Sequence, residues 1–220
     1  MERSKKQRLQ LSPRTTLGRK NIEALSGVLL LLFCFEHLIG NSLLLLPDVE
    51  WYTWYTEWMG RLAIVRLAEI LLFLVLGVHI AIGIRMRMVY LKFRANNPNA
   101  PAPRSASSRF VGSTGVMILV FLVVHLERFF LPNRVFTDSS FHLVSEVHTA
   151  FTSTWYTMFY VASMFFLGFH LQHGIASAVV SLPFLSPRAI GSARKAARLT
   201  AVIVSAGLAY IAIHLWIQNN

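Results

Sequence analysis

The sequence predicts an all-α membrane protein, a bundle of five spanning helices of which four form a tandem repeat of a two-helix unit. Three observations predict it. Of the 220 residues, 55% are hydrophobic and only 14% charged, a balance outside that of water-soluble domains. Five apolar segments, about 24–46, 62–84, 113–131, 155–180 and 199–217, are long enough to cross a hydrocarbon core of about 30 Å, and inside lipid their backbone polar groups are satisfied only as helices. Thirdly, the chain states one pattern twice. Ser26-Gly27, nine residues and His37-Leu38 recur as Thr114-Gly115, nine residues and His125-Leu126. Leu76-Gly77-Val78-His79, with Gly83 beyond it, recurs as Leu167-Gly168-Phe169-His170 with Gly174. The histidine offsets of 88 and 91 residues describe one two-helix unit used twice in the same order.

Residues 1–23 form a basic segment ahead of a single helical domain, 24–220. The first span is longer than a signal-peptide core and no small-residue cleavage site follows Leu46, so it is expected to be a retained anchor. The connection 47–61 holds Asp48, Glu50 and Glu57 among Trp51, Tyr52, Trp54, Tyr55 and Trp58, the composition of a membrane interface. After the second span comes a basic stretch from Arg85 to Arg109. The third span is followed by the connection 132–150 with Asp138 and Glu146, and the fourth by a basic stretch from Arg188 to Arg198 that leads into the fifth. Of the 21 Lys and Arg, 17 fall into the N-terminal segment and these two stretches, which the positive-inside bias places in the cytoplasm. The expected location is the bacterial cytoplasmic membrane, with the N-terminus inside and the C-terminus outside. The net charge of +11 is then mostly topology signal, complemented by anionic lipid or an acidic partner, and does not point to nucleic acid.

The single cysteine, Cys34, lies in the first span. That excludes disulfides, cysteine-held iron–sulfur clusters and a covalent haem motif, and no dinucleotide fingerprint, phosphate loop or His-Glu-x-x-His is present. The chemistry-bearing residues are the repeated histidines. At about 1.5 Å per residue, His37 lies roughly 20 Å and His125 roughly 18 Å beyond the inner ends of their spans, whereas His79 and His170 lie roughly 8 and 15 Å from theirs. Depth and repeat symmetry pair His37 with His125 and His79 with His170.

Ionisable residues in hydrocarbon are expensive and mark bound groups. Two neutral imidazoles facing each other across a bundle are axial ligands for haem iron, so two pairs at two depths predict two stacked, non-covalent haem b groups. Gly83 and Gly174, one turn beyond the inner histidines, leave room for a porphyrin edge, and Gly27 and Gly115 let the first and third helices approach the inner group. Packing of histidines and glycines between helices is the plainer reading of each residue taken singly. Zinc is disfavoured because no carboxylate or thiolate joins the histidines.

Weaker candidates surround these. His173 is assigned to packing or hydrogen bonding, and His142, His148 and His214 to the outer connection and interface. Arg128, one turn beyond His125, is a candidate for a haem propionate, against pairing with Glu127 or lipid phosphate. Arg85 and Arg109 are expected as topology anchors that could also serve the inner propionates. Glu69 is a candidate for proton exchange with a quinone, against an i,i+3 ion pair with Arg66. Glu36 adjoins His37 but points to another helix face.

With these positions in hand, the chain resembles the cytochrome b membrane-anchor subunit of succinate dehydrogenases and fumarate reductases, in its single-chain, five-helix, two-haem form. The resemblance runs from Ser26 to the fifth helix. It is carried by the Ser-Gly-x9-His-Leu and Thr-Gly-x9-His-Leu segments, by Val144-Ser145-Glu146, and by Phe169-His170-Leu171 with His173-Gly174. It implies ligation of an outer haem by His37 and His125 and of an inner haem by His79 and His170. It also implies a quinone, menaquinone, near the outer haem, docking to iron–sulfur and flavoprotein subunits on the cytoplasmic side, and assembly into a possible higher oligomer. Succinate or fumarate chemistry would reside in those partners. Some relatives carry a glutamate two residues before the fourth-helix ligand, and here that position is Gly168, which speaks against that proton route. The haem b subunit of a hydrogenase or formate dehydrogenase is the alternative within the same chemistry. A non-redox anchor or transporter is the alternative outside it, and the absence of proline from all five predicted segments argues against broken transport helices.

Overall fold

The computed structural model describes residues 16–99, 101, 106–135, 142–181 and 190–220, and all regular structure among them is helical. The basic residues 1–15, Arg104, Asp138 and Arg188 lie outside the described residues. Helix α1 (Thr16–Ser42) tightens into a 3-10 turn at Leu43–Leu45 and stops at Leu46, which is extended (φ −75°, ψ 148°), the conformation that Pro47 demands of its predecessor. Asp48 accepts a hydrogen bond from the Glu50 backbone N–H (2.8 Å) as α2 (Glu50–Arg61) begins. Leu62 alone separates α2 from α3 (Ala63–Asn96). Helix α4 (Ala106–His125) runs through a π-helical turn, Leu126–Phe130, into a last turn at Leu131–Arg134. Pro132 has no N–H for the carbonyl four residues back and would crowd it, and the widened turn just before it accommodates that. After α5 (Leu143–Ala150), helices α6 (Thr154–Ser181) and α7 (Ile190–Asn219) complete the chain.

Five of these helices are long and apolar enough to cross a membrane, which makes the protein a multi-pass membrane protein: α1 with its 3-10 turn, α3, α4 with its continuation, α6 and α7. They outrun the expected segments. α1 starts at Thr16 instead of near 24, α3 runs to Asn96 instead of 84, and α7 starts at Ile190 instead of 199. Hydropathy measures only the hydrocarbon-spanning part of a helix, and basic turns continue beyond it with their charged heads in the interface. The third span also extends past 131 to take in Pro132, so the expectation of proline-free segments fails at that end. Helices α2 and α5 fall in connections read only as loops. Trp51, Trp54 and Trp58 stand on the exposed side of α2 while Tyr52 turns inward, 5% exposed, an interfacial helix that no 20-residue apolar window detects.

α1 packs along α3 and α6, and α4 packs along α6, whereas α3 and α4 hardly touch. These four helices therefore surround one axis, with α1 diagonal to α4 and α3 diagonal to α6. α7 lies outside that square in extended contact with α6 and against α1, and its Val204 and Leu215 are fully buried. α3 buries no residue completely and exposes Ile64, Ile70 and Leu74 by 63–67%, an apolar surface suited to lipid.

Candidate metal centres

Each diagonal carries one histidine pair. The rings of His37 on α1 and His125 on α4 have centroids 5.7 Å apart with an interplanar angle of 83°. Those of His79 on α3 and His170 on α6 are 6.1 Å apart at 77°. The two pairs lie at separate levels. Gly27 and Gly115 touch the second pair and stand ten residues before His37 and His125 on the same two helices, an axial offset of roughly 15 Å. His79 and His170, expected roughly 8 and 15 Å from the ends of their spans, nevertheless meet at one level.

The repeat shapes both surroundings. A Cβ built on Gly27 would lie 3.4 Å from His79 Cε1, and one on Gly115 3.5 Å from His170 Cε1, so each ring of the His79–His170 pair occupies the notch of a repeated glycine. The His37–His125 pair is framed by Phe33 against His37 (5.3 Å) and Phe121 stacked on His125 (5.4 Å), each four residues before its histidine.

Hydrogen bonds orient the rings. Ser26 donates its hydroxyl to the Glu23 carbonyl (3.1 Å), so its oxygen is the acceptor for His79 Nδ1–H at 3.1 Å. The Glu23 carboxylate, 3.6 Å from Nδ1, favours the same tautomer. The ring proton then sits on Nδ1 and Nε2 keeps a free lone pair, the arrangement in which a histidine binds a metal while its other nitrogen is held by a second group. His125 Nδ1 is 2.6 Å from the Tyr160 hydroxyl, a hydrogen bond that orients this ring. His170 Nδ1 is buried with no hydrogen-bond partner. Thr114, the counterpart of Ser26, turns its hydroxyl to the Phe110 and Val111 carbonyls instead (3.1 Å each).

Two imidazole nitrogens bound at about 2 Å on opposite sides of one metal ion put the ring centroids roughly 6 Å apart, and both pairs have that spacing. Among the described residues no three His, Cys, Asp or Glu side chains gather into a metal cluster. Each pair thus offers two ligands, and a six-coordinate ion would need its remaining four donors from a bound group.

The other candidates separate. Gly174 faces open space, while Gly83 faces the Glu23 carboxylate, 3.1 Å from its would-be Cβ. Arg128 pairs with Glu146 (2.9 Å) and not with its neighbour Glu127. Glu69 does pair with Arg66 (3.2 Å) and is also held by Arg134 on the third span (3.0 Å). Glu36 accepts the Tyr55 hydroxyl, whose ring fills the notch at Gly40. Arg85 and Arg109 are exposed at the basic end of the bundle. His148 Nδ1 meets Asn219 Oδ1 (3.2 Å), His214 lies against Tyr210 (6.0 Å) and His142 is exposed ahead of α5. His173, one turn beyond His170, is partly buried.

Sequence reasoning missed Glu23, Ser26 and Tyr160 as partners of the histidines. Ser26 had a signal, since it sits in the repeated dipeptide. Glu23 precedes Gly27 by one helical turn and so shares its face. Tyr160 had no counterpart to draw attention to it. No protein-family model, curated protein or solved structure matches the chain.

Proposed function

We propose that this protein is a two-haem cytochrome b of the cytoplasmic membrane. In this reading it anchors a succinate dehydrogenase or fumarate reductase complex and carries electrons between an iron–sulfur subunit and membrane quinone. The observation that carries it is the pair of diagonal contacts, His37 with His125 and His79 with His170, at ligand spacing and at two levels. Haem supplies reversible one-electron transfer when bound. The chain's own residues hold and orient: Ser26 and Glu23 fix the His79 tautomer, Tyr160 holds His125, and Gly27 and Gly115 admit the inner rings. The seam between α3 and α4 is the loosest of the four sides of the square. The Glu69 carboxylate, held between two arginines, is poorly placed to exchange protons with a quinone.

The test is a dithionite-reduced minus oxidised spectrum with pyridine-haem quantitation on the purified chain and on His170→Ala. Two haem b per wild-type chain, falling to one in the variant, is the expected result. A folded wild type without haem returns the histidines to packing. Co-purification with soluble flavoprotein and iron–sulfur subunits and succinate-dependent quinone reduction then separates this assignment from a hydrogenase or formate dehydrogenase subunit.

A further inference from the structure

A second site lies on the opposite side of α6 from His170, independent of the haem reading. α6 and α7 run antiparallel, and Gly168 sets their register: a Cβ there would lie 2.8 Å from Ser205 Oγ, so the helices meet at that level through the missing side chain. Around this contact the pair forms a groove of about 230 Å³, lined by Phe165, Phe169, Gln172, Arg198, Val202 and Ser205. Gln172 and Gly168 are both about 200° around α6 from His170, which directs the groove outward. Phe165 is 63% and Val202 60% exposed, as befits walls that face lipid.

The polar members are ordered along the membrane normal. With Gly168 opposite Ser205, Gln172 is level with Ala201, and Arg198 lies roughly 5 Å nearer the basic end. Arg198 is exposed and, among the described residues, has no acidic partner. Gln172 is partly buried and its amide bonds to none of the described residues. Ser205 satisfies its own hydroxyl on the Ala201 carbonyl (2.7 Å), so the unsatisfied groups are the cation and the amide. A cation at the membrane edge, an uncharged donor just below it and an aromatic channel below that match the phosphate, ester and acyl chain of a phospholipid in order. Arg194 and Lys195, in the first turns of the same helix, disfavour a headgroup that carries its own cation.

We propose that this groove binds one anionic phospholipid, its phosphate on Arg198, its ester region at Gln172 and an acyl chain along Phe165, Phe169 and Val202. The test uses the full chain in detergent, titrated with phosphatidylglycerol or phosphatidylcholine. Unfolding is followed by circular dichroism, and retained lipid is counted by native mass spectrometry, readouts that do not require haem. At a hundredfold excess over Kd, phosphatidylglycerol is expected to raise the unfolding midpoint by roughly 5–10 °C, with one lipid retained per chain and a much smaller response to phosphatidylcholine. Arg198→Gln, and Val202→Trp, which fills the groove without changing charge, remove most of that shift, whereas Lys92→Gln, at an exposed cation on α3, keeps it. Equal responses to the two lipids, or a wild-type response in both groove variants, overturn the proposal. So does a midpoint raised by menaquinone and not by phosphatidylglycerol.

Discussion

Gly115 leaves the space of its missing side chain to His170, with 3.5 Å between its would-be Cβ and the ring Cε1. Gly27 stands in the same relation to His79 at 3.4 Å. Alanine at either position reaches only van der Waals contact and gains helix propensity worth about 1 kcal/mol. A branched or longer side chain must push the ring off the diagonal. On the proposed two-haem reading, Gly115→Leu is therefore expected to lose one haem while the chain stays folded, and Gly115→Ala to keep both, as measured by pyridine-haem content and circular dichroism.

Ser26 acts on the inner pair alone, as the acceptor for His79 Nδ1–H. Ser26→Ala strands that N–H in a site where the serine was only 6% exposed. The loss of one hydrogen bond, of order 1 kcal/mol, corresponds to roughly 40 mV for a one-electron couple. Redox titration of the variant is expected to move one midpoint by about that amount and leave the other in place. Tyr160→Phe, which removes the partner of His125, is expected to move the other midpoint. Equal movement of both midpoints in either variant would contradict the two-level arrangement.

Tyr52 makes the tryptophan-rich end of the bundle sensitive to alkali. Burial pushes its phenol up to about 12 from an ordinary 10. Burial, and then the bond to Glu36, also raises the Tyr55 phenol. The folded state favours the protonated phenol, so its contribution is complete below about pH 10 and is lost as the pH climbs through about 12. The unfolding midpoint should fall steeply across that window, and Tyr52→Phe should flatten the fall. A wild-type profile level to pH 12 would show that these phenols are not buried.

Glu69 ties the second span to the third through Arg134, whose side chain is only 16% exposed. Glu69→Gln leaves that cation without its partner and should lower stability by about 1–3 kcal/mol, with much of the loss recovered when Arg134→Gln is added. Electron transfer per folded chain should change little. A variant of normal stability that had lost quinone turnover would instead make the carboxylate a proton donor.

Much of this protein is local in character, and the sequence by itself determined it. Five apolar lengths make five spans, because a lipid interior leaves the backbone no alternative to the helix. The two repeated segments, Ser/Thr-Gly-x9-His and Leu-Gly-x-His, single out four histidines, because an intramembrane imidazole is too expensive to be scattered by chance, and repeat symmetry with approximate depth pairs them. What the tertiary structure decided depends on contacts between distant positions. That α1 faces α4 and α3 faces α6, that Ser26 meets His79 at a separation of 53 residues and Tyr160 meets His125 at 35, that Arg128 chooses Glu146 over its neighbour Glu127, and that α2 folds its tyrosines against α1 are all long-range choices. Hydrophobic length and helical period report which face of a helix is apolar, but which helix lies opposite is settled only when all five pack together.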